Sequence, residues 1–431
     1  MKLLVNPSPE KWKKQLARPV QKTKEINKIV KPIFEKVEKN GDKALKKFAQ
    51  EYDHVSLDSL LATPEEIKAA KDQISKELKE AIKTAKANIE RFHAAQATPE
   101  LIEEVMPGVV CRRKSVPIQR VGLYIPGGTA PLFSTVLMLG VPAKIAGCKE
   151  VVLCTPPNRE GKIHPAILYT ADLVGITKIV KVGGAQAVAA LTFGTESVPQ
   201  VDKIFGPGNQ YVTAAKQFAT KYGVAIDMPA GPSEVLVYAD ETAVPAFVAS
   251  DLLSQAEHGV DSQVVLVTPS EKFAKKVLKE IDVQLEDLSR KDIAFKALQN
   301  STAVVMEDQK TALELINDYA PEHLIIAVEN EEEAVDAIYN AGSVFIGNFT
   351  PESAGDYASG TNHTLPTYGY ARNYSGVSLD SFLKKMTYQK ITPEGLKTIG
   401  PVVEVMAANE QLDAHKNAVT IRLNYLKENK K

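Results

Sequence analysis

The chain reads as an α/β protein with two tandem, doubly wound parallel sheets. Three observations carry this. From Val116 onward the 431-residue sequence is built of short apolar runs, each closed by Gly or Pro and followed by a helical pattern. Four such units occupy 121–125, 151–153, 179–182 and 204–205, with turns at Pro126-Gly127-Gly128, Thr155-Pro156-Pro157, Gly183-Gly184 and Gly206-Pro207-Gly208. Strand, tight turn and helix in repetition define a parallel sheet covered on both faces. A second series follows, with expected strands at 235–238, 263–267, 303–306, 324–328 and 344–346 and a seam at Ala230-Gly231-Pro232-Ser233. The arrangement is Rossmann-like, yet neither G-x-G-x-x-G nor G-x-x-x-x-G-K-[ST] is present, so the usual dinucleotide fingerprint is missing.

The ends read as helical extensions. Residues 8–100 carry helical texture, and 65–96 has apolar residues at helical spacing with no Gly or Pro. Past Asp380 the texture is mixed, and a helix-like tail runs over 403–427.

Composition narrows the function class. Hydrophobic content of 44% and charged content of 24% are ordinary for a globular protein. A net charge of −1 leaves no basic footprint for nucleic acid, and the terminal lysines alternate with Glu as solvated helix faces do. Cys111, Cys148 and Cys154 form no CxxC, which fits a reduced, cytoplasmic protein; Cys148 and Cys154 flank an apolar run and read as buried. No apolar run approaches the roughly 18 residues of a membrane span, and the N-terminus is too short in apolar residues for a signal peptide.

Chemistry concentrates at a few points. Glu322 and His323 are adjacent where a helical pattern stops at Pro321 and an apolar strand begins at Leu324. A carboxylate beside an imidazole can share one proton or relay two. Gln255 and His258 are three apart, which puts them on one helix face with Gly259 as a natural cap. That spacing leaves a metal pair and a polar helix end both open. Asp356 and His363 lie in a long Gly/Ser/Thr-rich stretch after a strand, which suits either a site or a surface loop. His415 lies in the tail five residues after Glu410; His54, His93 and His164 have no partners nearby and read as structural. The Gly-rich strand ends can bring backbone N–H groups to a ligand, which leaves dinucleotide binding open.

Taken together these motifs resemble the histidinol dehydrogenase family. The matching stretches are Arg120-Val121-Gly122-Leu123-Tyr124-Ile125-Pro126-Gly127-Gly128, Gly183-Gly184-Ala185-Gln186-Ala187, Gly206-Pro207-Gly208-Asn209 and Asp227-Met228-Pro229-Ala230-Gly231-Pro232-Ser233-Glu234. Gln255-Ala256-Glu257-His258-Gly259, Pro321-Glu322-His323-Leu324, the run 355–366 and Ala414-His415-Lys416-Asn417 continue in the family's order.

The resemblance implies one Zn2+ per subunit, held by Gln255, His258, Asp356 and His415, and a catalytic pair at Glu322 and His323. It implies substrate contacts at Ser233, His323, His363 and Glu410 beside the zinc ligands, and NAD+ contacts at Tyr124, Gln186 and Asn209. The implied reaction is oxidation of L-histidinol to L-histidine, through bound L-histidinal, with two NAD+. A homodimer is implied too, in which the C-terminal tail carries Glu410 and His415 into the neighbour's site. The expected partition is an N-terminal extension over 1–20, a discontinuous α/β domain over 21–123 and 235–377 with the zinc and catalytic residues, a second over 124–234 on the NAD side, and a C-terminal extension over 378–431. Two other readings share the motifs: a related dehydrogenase of another small polar alcohol, and a non-catalytic zinc-dependent assembly protein.

Overall fold

The computed structural model describes residues 1–19, 23–127, 130–229 and 231–429. Gly128 and Ala230 of the quoted motifs, and the boundary expected at Val20 and Gln21, lie outside the described residues. The chain divides into two compact units: Met1–Gln96 with Ile118–Phe382, and Ala97–Pro117 with Leu383–Lys431.

The first unit holds two all-parallel sheets. One has the spatial order Lys178–Val180, Glu150–Cys154, Arg120–Tyr124, Lys203–Phe205, Ala225–Ile226. The other runs Lys2–Val5, Thr302–Val305, Gln263–Thr268, Glu234–Ala239, His323–Ala327, Ser343–Ile346. Within each α/β series the order is third, second, first, fourth, fifth, so both sheets have a switch point between their first and fourth strands. Covered on both faces, the strands are near-continuous apolar runs, such as Leu123, Val152, Leu153, Ile204 and Phe205 in one sheet and Val235, Leu236 and Val237 in the other, all buried.

Helices 23–94 complete the five-stranded sheet. Val30, Phe34, Val37 and Leu45 of the helix Thr23–Tyr52 pack with Val188, Leu191 and Val212 on one face. Ile82 and Ile89 of Lys76–Ala94 pack with Leu137, Leu139 and Leu168 on the other. The sequence grouped 21–123 with 235–377; the buried faces of these helices instead join the core of the sheet that lies mostly in 124–234. The helical pattern over 65–96 is two helices, Pro64–Ala70 and Lys76–Ala94, because Ser75 caps a new start by accepting from Leu78 N–H.

The N-terminal extension carries, besides its helix Pro9–Gln15, the edge strand Lys2–Val5, paired in parallel with Thr302–Val305. Trp12 and Leu16 enter the core with Val265, Val304 and Ile316, so this segment is part of the six-stranded layer.

The second unit is a three-stranded antiparallel sheet, Leu383–Ile391 beside Val109–Pro117 beside Leu101–Met106, followed by helices Pro393–Asn409 and Asp413–Glu428. The hairpin was not expected. Its strands mix charged residues with exposed apolar ones such as Leu101, Ile102 and Val105, so no alternating apolar face marks them.

Among the described residues no helix is long and apolar enough to cross a membrane. Cys154 is buried and Cys148 half-buried, and burial pushes the Cys148 thiol up to about 11, which makes it inert.

Candidate active site

The helix Gln309–Tyr319 ends on Ala320 in the left-handed conformation (φ 52°), and Pro321 then stops any continuation. The next residues are Glu322 and His323, and His323 opens a strand in register with Val235. The pair therefore sits at the switch point of the six-stranded sheet, but at the amino ends of its first and fourth strands. Ligands in open α/β sheets ordinarily bind at the carboxyl ends. The five-stranded sheet follows that rule: Tyr124 and the Gly206-Pro207-Gly208 turn close its first and fourth strands.

Both members of the pair are buried. Glu322 Oε2 accepts from Glu234 N–H at 2.9 Å and lies 3.6 Å from His323 Nδ1. His323 Nδ1 is 3.2 Å from the Glu234 carbonyl oxygen and 3.0 Å from Gln255 Nε2. The carbonyl can only accept and the amide nitrogen can only donate, so Nδ1 faces one group of each kind, and Nε2 is the nitrogen left for exchange. That Nε2 is buried without a hydrogen-bond partner; Asp356 Oδ1 is 3.3 Å away, within charge-pairing range but out of alignment.

Burial pushes the Glu322 carboxyl up to about 8, against the opposing pull of His323 and the Glu234 N–H. For His323 burial works downward, but the charges of Glu322, Asp356 and Glu352 outweigh it and raise the imidazole to about 10. Neutral pH lies below both values, so both groups hold their protons, and the pair titrates as a unit.

Gln255 lies in the last turn of the helix Pro245–Ala256 and donates from Nε2 to Glu352 Oε2 at 3.1 Å. Its Oε1 is buried without a partner. The helix ends on Glu257, so His258 is beyond it and exposed, not on a shared helix face, and Gly259 does not act as the cap. Asp356 belongs to a short helix, Glu352–Tyr357, where a loop was expected. Burial works to raise its carboxyl, but His323, His363 and His258 hold it below the ordinary carboxylate range. His363 is bound at both ring nitrogens, Nδ1 to the Asp356 carbonyl at 2.8 Å and Nε2 to Thr135 Oγ1 at 3.0 Å.

Among the described residues no three His, Cys, Asp or Glu side chains converge as a metal site. The first unit brings Gln255, His258 and Asp356 around His323, and one of these is an amide. Glu410 and His415 belong to the second unit, where Glu410 caps one helix and His415 lies exposed on the next.

Two cavities adjoin. A cavity of about 530 Å3 is bordered by Ser233, His258, Glu322 and Asn209. A larger one, about 1290 Å3, is bordered by Tyr124, Gln186 and Asn209. Asn209, Tyr211 and Pro126 line both, so the space beside the catalytic pair continues into the space beside the Gly-rich strand ends. Tyr124 is buried and its hydroxyl accepts from Gly184 N–H at 3.1 Å; Asn209 Oδ1 caps the helix Gln210–Ala219. The glycines here serve close packing of the turns: a Cβ on Gly127 or Gly183 would stand 2.1 or 2.5 Å from Pro156. Gly183→Ala is therefore expected to cost about 1–3 kcal/mol of stability by overpacking, read as a lower midpoint in urea.

Of the histidines read as structural, His93 bonds the Ile89 carbonyl and His164 caps the helix Pro165–Val174, while His54 and His164 both border the larger cavity. The sequence reading gave no role to Glu352, which holds Gln255 and Ser254, or to Glu234, whose backbone holds both members of the pair. Glu234 had one visible signal, a charge heading an apolar strand.

A family model described as histidinol dehydrogenase matches residues 16–423. A histidinol dehydrogenase of Bacteroides thetaiotaomicron is 61% identical over 99% of this chain and 100% of its own length. One from Salmonella typhimurium is 53% identical over 98% and 97%. The crystal structure of histidinol dehydrogenase from Elizabethkingia anophelis aligns with a TM-score of 0.97 at 56% identity, covering 99% of each chain. Matches of this identity over nearly the whole length place the chain in the histidinol dehydrogenase family.

Proposed function

We propose that the protein oxidises L-histidinol to L-histidine with Zn2+ and two NAD+, with Glu322 in the wall of the smaller cavity and His323 buried beside it. The observation that carries this is the buried Glu322–His323 pair beside a cavity that continues to Tyr124, Gln186 and Asn209.

The donors fit zinc. Gln255 Oε1 is a buried amide oxygen with no partner, and Asp356 is kept ionised by its histidine neighbours. Gln255, His258 and Asp356 would hold the ion together with His415 of the partner subunit. Bound zinc supplies a template for the substrate's amino and imidazole nitrogens, and NAD+ supplies the two-electron acceptor in each step.

The chain's own groups move the protons. Once its own proton has been released, His323 Nε2 takes the hydroxyl proton as the alcohol becomes the aldehyde. Glu322, steadied at Oε2 by the Glu234 N–H, accepts a proton from water at Oε1 while His323 Nε2 returns its proton to the aldehyde oxygen, which completes the hydrate and frees His323 to act again. His323 then deprotonates the hydrate, and the carboxylic acid product leaves after the second oxidation. Burial keeps the reactive amino aldehyde from bulk water.

A homodimer fits the second unit, whose two helices expose Val405, Met406, Ile421 and Tyr425. A cytoplasmic location fits three free cysteines.

Chelation tests the metal. Dialysis against a zinc chelator is expected to abolish NADH formation and leave far-UV circular dichroism and the dimer intact, with activity restored by stoichiometric Zn2+. Loss of the dimer, with oxidation surviving in the folded chain, would sink the catalytic role of zinc.

A further inference from the structure

Behind the catalytic pair lies a polar cluster that the mechanism does not use. Glu234 heads the first strand of the six-stranded sheet and is buried, with 2% of its side chain exposed. Its backbone holds both catalytic residues, donating to Glu322 Oε2 at 2.9 Å and offering its carbonyl to His323 Nδ1 at 3.2 Å. Its carboxylate is gripped by Arg18, through Nε to Oε2 and through Nη2 to Oε1 at 2.8 Å. The same Nη2 reaches the Tyr319 carbonyl at 2.8 Å, and the guanidinium stacks 3.9 Å from the Tyr319 ring centroid. Tyr319 ends the helix that turns at Ala320 and Pro321 into the catalytic pair. Tyr368 N–H also donates to Glu234 Oε1, at 3.1 Å, and Tyr319 Oη donates to Gln263 Oε1 at 2.9 Å.

Two segments thus have to keep register for Glu322 to border the cavity with His323 beside it: the strand beginning at Glu234 and the turn 319–322. Arg18 bridges them. A guanidinium suits this because its fork binds a carboxylate with two N–H groups while a further N–H reaches a carbonyl. A buried carboxylate is costly unless paired, and Arg18 supplies the pairing cation. Arg18 borders neither cavity.

We infer that Arg18, supplied by the N-terminal segment, is a positioning residue for the oxidation: through Glu234 and the Tyr319 carbonyl it sets the orientation of Glu322 and His323. The inference rests on the reading that this pair does the proton work.

The test uses full-length zinc-loaded protein and three variants, Arg18→Met, Arg18→Lys and Arg18→Ala. Wild-type protein assayed beside them must oxidise histidinol; if it does not, the functional reading fails, whatever the variants do. Given an active wild type, Arg18→Met is expected to lower kcat about 100-fold, the scale of a misplacement near 1 Å. KM for NAD+ should stay within about twofold, because Tyr124, Gln186 and Asn209 lie on the other sheet. Arg18→Lys, which keeps the charge but not the fork, should fall between. Added guanidinium at low millimolar concentration should recover part of kcat in Arg18→Ala. Unchanged kcat in Arg18→Met, or a loss matched by NAD+ KM with no guanidinium rescue, would overturn the inference. Failure of all three variants to fold would overturn it as well, since Arg18 would then be part of the scaffold alone.

Discussion

Replacing Glu322 by Gln is expected to split the reaction. The amide keeps the shape and can still accept the Glu234 N–H at the position of Oε2, so the strand start and His323 stay in place. It cannot take a proton from water. The first oxidation should proceed and the second should slow by about 100-fold to 10,000-fold, the usual worth of a general base. Single-turnover traces at 340 nm would then show one NADH formed quickly and the second delayed, with aldehyde trapped by semicarbazide. Burial has a side consequence. Glu322 is pushed up to about 8, so folding near neutrality has to protonate a group that is ionised in the unfolded chain, and the Gln variant, which carries no such cost, should melt above wild type by a margin that grows as pH rises from about 4.5 to 8. Equal slowing of both oxidations would remove Glu322 from the hydration step.

Replacing His323 by Asn should damage both steps. His323 Nε2 takes a proton from the alcohol in the first and from the hydrate in the second, so kcat should fall by about 100-fold to 10,000-fold for histidinol and for histidinal alike. Structure adds a cost in stability. The imidazolium stands 3.3 Å from the Asp356 carboxylate, and without it that largely buried charge loses its partner. Loss of one partner from a buried charge cluster costs about 3–5 kcal/mol, which a urea titration of the variant would read. A variant that loses activity at wild-type stability would leave the proton role standing and correct the electrostatics.

The parallel sheets were legible because strands buried on both faces must be apolar, and each is closed by Gly or Pro where the chain turns into a helix. Lys2–Val5 was not: four residues carry no period, and the pairing that makes them a strand lies with Thr302–Val305. The 101–117 hairpin was hidden by its own exposure, since Glu103, Glu104, Arg112 and Arg113 face solvent and mimic the solvated helix faces before them.

The site was legible in its chemistry and less so in its support. Glu322 and His323 stand adjacent in sequence at a helix-to-strand junction. Gln255 became a ligand candidate through family resemblance, because amide ligation has no spacing signature; the structure adds its unpartnered Oε1. Arg18 and Glu234 are 216 residues apart, and a charge pair of that separation leaves no mark on any local pattern. The buried pair of Lys216 and Asp227, which pins the Gly206 turn beside Asn209, escaped notice for the same reason.

The measurement that bears most directly on the proposed chemistry is the number of NADH formed per histidinol consumed, at limiting substrate with zinc-loaded protein. Two NADH with histidine as product are expected, since the aldehyde stays in the site until Glu322 has hydrated it. One NADH with free aldehyde in solution would contradict the retained intermediate and the second oxidation.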